Sequence, residues 1–384
     1  MSKIYFDHSA TTPVDKRVAD IMCDHLLNGW GNPSSVHAVG RQAKESMDTA
    51  HAQVANVINC QPEELYFTSG GTEADNLAII GYALMHRDRK GHIITSNIEH
   101  PAIENAVEYL EKLGFEATRV AADQYGMIHP ADISAALRPD TFLVSIMHVN
   151  NEVGTINNIG AIGRLLREKG IAFHTDAVQS FGKVPVDVEE MCIDMLSLSG
   201  HKIYGPKGVG ALYVRKGLEI EPRVFGGHQE MGVRAGTENM PGIVGLGKAA
   251  EICKGEMAHE AEYLTKLRDR LHARIAGEVD NIVLNGHTIH RLPGNLNLTF
   301  HGVEGEALLM TLDVNGISVS SGSACSSGST LPSRVLLNIG LTPQEAHSSL
   351  RMTLGRENTP EDIDFAAGII IDSVKNLRDM AGVA

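Results

Sequence analysis

Ser197-Leu198-Ser199-Gly200-His201-Lys202-Ile203-Tyr204-Gly205-Pro206-Lys207-Gly208 joins the end of a short apolar run to a glycine-rich loop, with a lysine at the join. The run, residues 195–198, reads as a buried strand. A lysine directly after a strand, flanked by serine, histidine and glycines, can present its amine to a ligand. Such an amine condenses with an aldehyde while its neighbours hold a phosphate. The other reading is a solvated lysine on a surface loop. Lys207 fits that second reading, and Lys202 fits the first.

Outward from this stretch, further strands are expected at 65–68, 92–96, 141–147, 171–174 and 210–214. Helical patterns fall between them at 73–87, 101–113 and 159–169. Strands alternating with helices predict an α/β layer structure with a mainly parallel sheet. Ligands of such sheets sit beyond the carboxyl ends of the strands, so polar residues there are the candidates. Thr68-Ser69-Gly70-Gly71-Thr72-Glu73-Ala74 follows one strand and opens a helix. It reads either as a phosphate cradle of exposed N–H groups and the Thr72 hydroxyl, or as a glycine turn with Thr72 as N-cap. His174-Thr175-Asp176-Ala177-Val178-Gln179 follows another. Asp176 there either holds a protonated ring nitrogen or caps the next helix.

Past residue 255 the texture changes. Leu264, Leu267, Leu271 and Ile275 predict a long helix, and short strands are expected at 295–300, 317–319 and 350–354. A final helix begins with Thr359 as cap and Pro360 in its first turn. The division expected is a large domain over 15–255 and a smaller α+β domain built from 1–14 and 256–384. Periodicity leaves the strand at 4–6 unassigned.

The chain has 384 residues, 43% hydrophobic and 21% charged, enough for a substantial core without disulfide or metal staples. With 33 basic and 47 acidic residues the net charge is −14, which argues against nucleic acid or an anionic membrane as partner. No signal-peptide core or membrane-length apolar run is present, so the cytoplasm is expected. The five cysteines contain no CxxC pair, so neither a disulfide framework nor a metal site is expected. Cys23, Cys60, Cys192 and Cys253 read as inert packing residues. Cys325 lies in a segment, 320–330, made only of Ser, Gly, Ala, Thr and one Cys. Such a segment has little packing of its own and is expected to be mobile. An unperturbed thiol is only about 3% thiolate at pH 7, so a reactive Cys325 needs nearby positive charge.

Taken together, these segments resemble the pyridoxal-phosphate enzymes of the aspartate-aminotransferase fold, in the class V branch. The match is to the NifS/IscS-type (group I) cysteine desulfurases. It is carried, in order, by residues 7–13 (DHSATTP), 32–37 (NPSSVH), 70–76, Glu99-His100 and 150–155 (NNEVGT). It continues through 174–179, 199–208, 234–239 (RAGTEN), 321–325 (SGSAC) and 350–356. The resemblance spans nearly the whole chain. It implies the type I fold: a large domain with a mainly parallel, seven-stranded sheet between helices, plus the smaller domain.

The resemblance also implies roles. Lys202 would form the Schiff base with pyridoxal 5'-phosphate, Asp176 would pair with the pyridinium nitrogen, and Gln179 would meet the ring hydroxyl. His100 would stack on the ring and assist proton transfer. Gly71, Thr72, Ser199 and His201 would surround the phosphate, and Thr237 would reach it from a second subunit, which implies a homodimer. Asn151 and Arg351 would grip the substrate carboxylate; the other reading of Arg351 is a strand-end arginine paired at the surface. Cys325 would take sulfur from L-cysteine as a persulfide and pass it to an iron–sulfur scaffold or another acceptor protein. The alternative is another pyridoxal-phosphate lyase or aminotransferase, for which Cys325 is dispensable. The long loop after Cys325 resembles the NifS/IscS group rather than the short-loop SufS group, and the chain's end soon after its last helix favours the NifS type. His8, Met231 and Val233 depart from residues common in relatives.

Overall fold

The structure is a computed structural model that describes residues 3–88, 90–321 and 331–382. Cys325 lies outside the described residues.

The strands in chain order are β1 (Ile4–Tyr5), β2 (Leu65–Thr68), β3 (His92–Ser96), β4 (Glu116–Val120), β5 (Thr141–Ser145) and β6 (Ala172–Asp176). They continue with β7 (Met195–Ser199), β8 (Gly210–Val214), β9 (Ile282–Leu284), β10 (Asn295–Phe300), β11 (Ile317–Ser318) and β12 (Ser349–Thr353). Seven of them form the central sheet, in the order β2-β8-β7-β6-β5-β3-β4. Only β8 runs against its neighbours. Every residue of β3, β6, β7 and β8 is buried, as expected for strands covered on both faces by helices. The α/β fold with a mostly parallel sheet is therefore as the sequence indicates. Ser96, Asp176 and Ser199 end β3, β6 and β7 at the same edge.

Three local outcomes differ from expectation. The helix expected at 73–87 starts at Gly71 and widens into a π-helical segment at Leu77–Gly81 before ending at Met85. The Gly81 carbonyl accepts from Glu221 N at 3.0 Å, and a Cβ at Gly81 would lie 2.7 Å from the Glu221 oxygen. The passing chain thus takes a carbonyl that a regular helix would have used. Next, β4 has no counterpart in the apolar pattern because it is a largely solvated edge strand. Finally, the long helix begins at Met240, capped by the Asn239 side chain, and runs unbroken to Ala276. Its first half is buried on nearly all sides, which erases the helical period that marks Leu264 to Ile275.

That helix joins two apolar cores. Leu246, Ala249, Ala250 and Cys253 pack with the central sheet, whereas Leu264, Leu267, Leu271 and Ile275 pack with Phe6, Leu298, Phe300 and Ile363. β1 pairs in parallel with β11, which ties the first residues of the chain to this second core. β12, β10 and β9 form an antiparallel sheet there. Cys23 departs from the packing role expected of it. It is exposed on the helix Lys16–Asn28, whose buried residues are Val18 and His25.

Candidate active site

At the carboxyl edge of the central sheet a pocket of about 190 Å³ is lined by residues from widely separated parts of the chain. They include Ser9, Gly71, Thr72, Asp75, His100, Asn151, Asp176, Gln179, Ser199, His201 and Lys202.

The lysine is aimed by backbone packing. Gly200 and Gly205 fold against each other so closely that a Cβ on Gly205 would lie 2.7 Å from the Gly200 oxygen. This tight turn after β7 brings the Lys202 Nζ to the carbonyl oxygens of Ser9 and Ala10, at 2.6 and 2.7 Å. The 7–13 motif therefore forms the wall that holds the amine. The Ser9 carbonyl also accepts from Gln179 Nε2 at 3.0 Å, leaving Gln179 Oε1 buried and without a hydrogen bond among the described residues.

Opposite lies Asp176, whose Oδ1 accepts from Val178 N at 2.8 Å. Burial raises its pKa, and the nearby His100 and Lys202 pull it back. His100 caps the helix Pro101–Lys112, with Nδ1 accepting from Ala102 N at 3.1 Å. Its proton therefore sits on Nε2 when the ring is neutral, the form that burial favours.

The phosphate-type cradle is the turn into the helix at Gly71. A Cβ at Gly71 would lie 2.7 Å from Val178 Cγ2, so the close approach needs glycine. Glu73 braces the turn, accepting from Ser69 N at 2.7 Å and from Arg234 Nε at 2.8 Å. Ser199 and His201 border the same crevice. His201 Nδ1 lies 3.1 Å from the Thr11 hydroxyl, and burial pushes its pKa down to about 4. A glycine turn with hydroxyl and N–H donors, an unpartnered amide oxygen, a buried carboxylate and a lysine amine suit a flat, phosphate-bearing aromatic aldehyde.

Two carboxyl groups behind this wall had no role in the sequence reading. Asp75 is 1% exposed; its Oδ1 lies 3.8 Å from His174 Nε2, and that oxygen has no hydrogen bond among the described residues. Burial, with Asp176 close by, holds its pKa well above the carboxylate range. Glu99 Oε1 accepts from the Ser96 hydroxyl at 2.5 Å and from Met147 N at 3.0 Å, and burial pushes its pKa up to about 8. His174 is clamped between Ser145 at 2.8 Å and Ser197 at 3.0 Å and is held neutral by burial, with a pKa of about 3. The sequence signal for Asp75 is its spacing of one helical turn from Gly71, which returns it to the pocket face.

Arg351 lies inside the protein, 1% exposed, which removes the surface reading. Its Nη1 donates to the Asn151 carbonyl at 3.1 Å, while Nε has no partner among the described residues. Its main chain bridges to Ser320 in both directions, at 2.7 and 3.1 Å. On the far side of the Ser/Gly segment, the Ser333 hydroxyl bonds to Glu152. Thr237 does not line this pocket. His8, the departure in the 7–13 motif, ties that segment down through the Thr353 carbonyl at 2.9 Å and Glu357 at 3.2 Å. Among the described residues, no group of three or more His, Cys, Asp or Glu could hold a metal ion, and no helix is long and apolar enough to cross a membrane.

Residues 4–365 match the family described as Aminotransferase class-V. A relative named "Cysteine desulfurase IscS", from Methanosarcina thermophila, is 48% identical over 98% of this chain and 93% of its own. A solved structure titled "NIFS-LIKE PROTEIN" superposes with a TM-score of 0.92 at 36% identity, covering 98% of this chain and 100% of that one. Another, "SspA in complex with cysteine", has a TM-score of 0.83 at 40% identity, covering 92% of this chain and 99% of that one. With this site on this fold, the chain belongs to the class V aminotransferase family and, within it, to the cysteine desulfurases.

Proposed function

We propose that this chain uses pyridoxal 5'-phosphate to take sulfur from L-cysteine, leaving L-alanine and a persulfide on Cys325. The observation that carries the reading is the meeting of the Lys202 amine, Asp176, His100 and the Gly71–Thr72 turn around one pocket. The buried, unpartnered Gln179 Oε1 and the space kept open at Gly71 fit the cofactor's ring hydroxyl and phosphate. Thr72, Ser199 and His201 would hold that phosphate, with Thr237 of a second protomer completing it in a homodimer.

When bound, the cofactor supplies an electron sink for charge developing at the substrate Cα. The protein's part is to bind and to move protons. Arg351 and Asn151 hold the substrate carboxylate, for which a guanidinium is well suited. Asp176 keeps the ring nitrogen protonated. Lys202 Nζ, already positioned by the Ser9 and Ala10 carbonyls, takes the Cα proton, and His100 Nε2 assists proton transfer. The Cys325 thiolate then attacks the substrate sulfur. The S–S bond forms as the Cβ–S bond breaks, the electron pair remains with the carbon skeleton, and protonation there gives alanine. Cys325 stands five residues past Ser320, so an extended chain reaches at most about 17 Å from the Ser320–Arg351 bridge. That span includes the place where the substrate carboxylate is gripped.

The persulfide would pass to an iron–sulfur scaffold or another sulfur acceptor. We also propose the division into a cofactor domain, 15–255, and a smaller domain of 1–14 and 256–384 bearing the nucleophile. The test is alanine and sulfide release from L-cysteine with a reductant present, in wild type and Cys325→Ser. Equal yields that vanish in the variant support the scheme. Alanine that survives in the variant moves the activity to another pyridoxal-phosphate lyase.

A further inference from the structure

Tyr204, two residues past Lys202, has a φ of 61°, in the left-handed region that a bulky residue enters only under strain. Such strain persists only where the surroundings over-determine the conformation, and here they do. Tyr204 is 5% exposed and is held at both its backbone and its ring. Its N–H donates to Thr12 Oγ1 at 2.8 Å, and its carbonyl accepts from Asp15 N at 2.9 Å. Its hydroxyl, kept protonated by burial, donates to Glu260 Oε1 at 3.1 Å and accepts from Arg356 N at 3.0 Å. The Arg356 guanidinium lies 3.8 Å over the ring centre, a cation on a π face.

The same groups bracket the lysine. Thr12 Oγ1, which accepts from Tyr204 N, donates to the His201 carbonyl at 3.0 Å, so one buried hydroxyl closes the turn on both sides of Lys202. Arg356 is fixed in turn by Asp15 at 3.0 Å and Glu260 at 2.8 Å. It stands three residues past β12, the strand that carries Arg351. The Tyr204 ring therefore fastens the Lys202 turn to the segment that holds the carboxylate-binding arginine. A glycine would shape the turn without strain, and what tyrosine adds is this fastening.

We infer that Tyr204 is a positioning residue for Lys202, and that its clasp with Arg356 sets where the amine stands. The inference rests on the assignment of Lys202 as the lysine that carries the cofactor and moves the Cα proton.

The test uses the holoenzyme of wild type, Tyr204→Gly, Tyr204→Phe and Arg356→Met. Glycine accepts the left-handed backbone, so in Tyr204→Gly the turn survives and the clasp alone is lost; Arg356→Met removes the clasp from the other side. The pH midpoint of the bound cofactor's absorbance titrates the Lys202 nitrogen. It should move by about 0.5 or more in these two variants, and by less in Tyr204→Phe, which keeps the stacked ring. Exchange of the L-alanine Cα proton in heavy water, followed by NMR, should slow about 10-fold or more in the same two, as for a misplaced catalytic group. That exchange is independent of Cys325. A merely structural clasp would lower the melting temperature and leave the midpoint in place, so a wild-type midpoint or exchange rate in either variant overturns the inference. Borohydride reduction and peptide mapping of the wild type keep the two assignments apart. Label on another lysine overturns the role of Lys202 and the inference together, whereas label on Lys202 with unmoved midpoints overturns the inference alone.

Discussion

Arg351 donates from Nη2 to Asp7 Oδ1 at 2.8 Å, joining a guanidinium that is 1% exposed to the first motif of the chain. The pair orients the arginine while leaving its Nε without a partner among the described residues. Removing Asp7 leaves a buried charge uncompensated. Asp7→Ala is therefore expected to cost about 3 kcal/mol of stability, read from urea unfolding. KM for L-cysteine should rise as the guanidinium loses its orientation.

Arg351→Lys keeps the charge and loses the planar fork. A rise of about 10- to 100-fold in KM for L-cysteine is expected, as for a lost charged hydrogen bond. Cofactor content, measured by absorbance, should stay unchanged because Arg351 does not face the phosphate turn. An unchanged KM would remove Arg351 from carboxylate binding.

Gly71→Ala places a methyl group 2.7 Å from Val178 Cγ2, inside the cradle. Cofactor affinity should fall about 10-fold or more, since a shifted turn loses donors to a charged group. Equilibrium titration of the apoenzyme measures this directly.

Arg234→Ala should act on the same turn from a distance, by releasing Glu73 from one of its braces. The ion pair is partly solvated, so an effect of about 1 kcal/mol, a few-fold in cofactor affinity, is expected. Partial rescue by Arg234→Lys separates bracing from a general loss of structure.

Glu99 carries a pH signature. Its folded pKa of about 8 lies above the ordinary value of 4.5, so between those limits the folded state holds a proton that the unfolded state has lost. Stability must then fall as pH rises through this window, by up to about 1.4 kcal/mol per pH unit from this group. Glu99→Gln removes that slope. Urea unfolding at pH 5.5 and pH 8 should show the variant gaining on wild type at the higher pH, and parallel profiles would contradict a protonated Glu99.

What could be read in the sequence follows from local rules. Short runs rich in apolar and β-branched residues mark β2, β3 and β8, and apolar residues at alternate positions mark β10, so these four are recognised to the residue. Asp176, Ser199 and Lys202 are legible because open α/β sheets offer ligands the groups that follow their strands. The edge strand β4 and the first half of the helix Met240–Ala276 escape the same rules, the one because it is solvated and the other because it is buried all round.

By itself, then, the sequence determined the layer architecture, the family and most of the side chains that line one pocket, since each depends on periodicity or on an ordered set of motifs. Tertiary structure alone decided how those side chains are held. That Ser9 and Ala10 carbonyls grip Lys202, that Asp7 balances Arg351, and that Asp75 and Glu99 stand behind Asp176 are contacts between segments far apart in the chain. Burial and charge at such contacts depend on what folds against each group, and no local pattern records that.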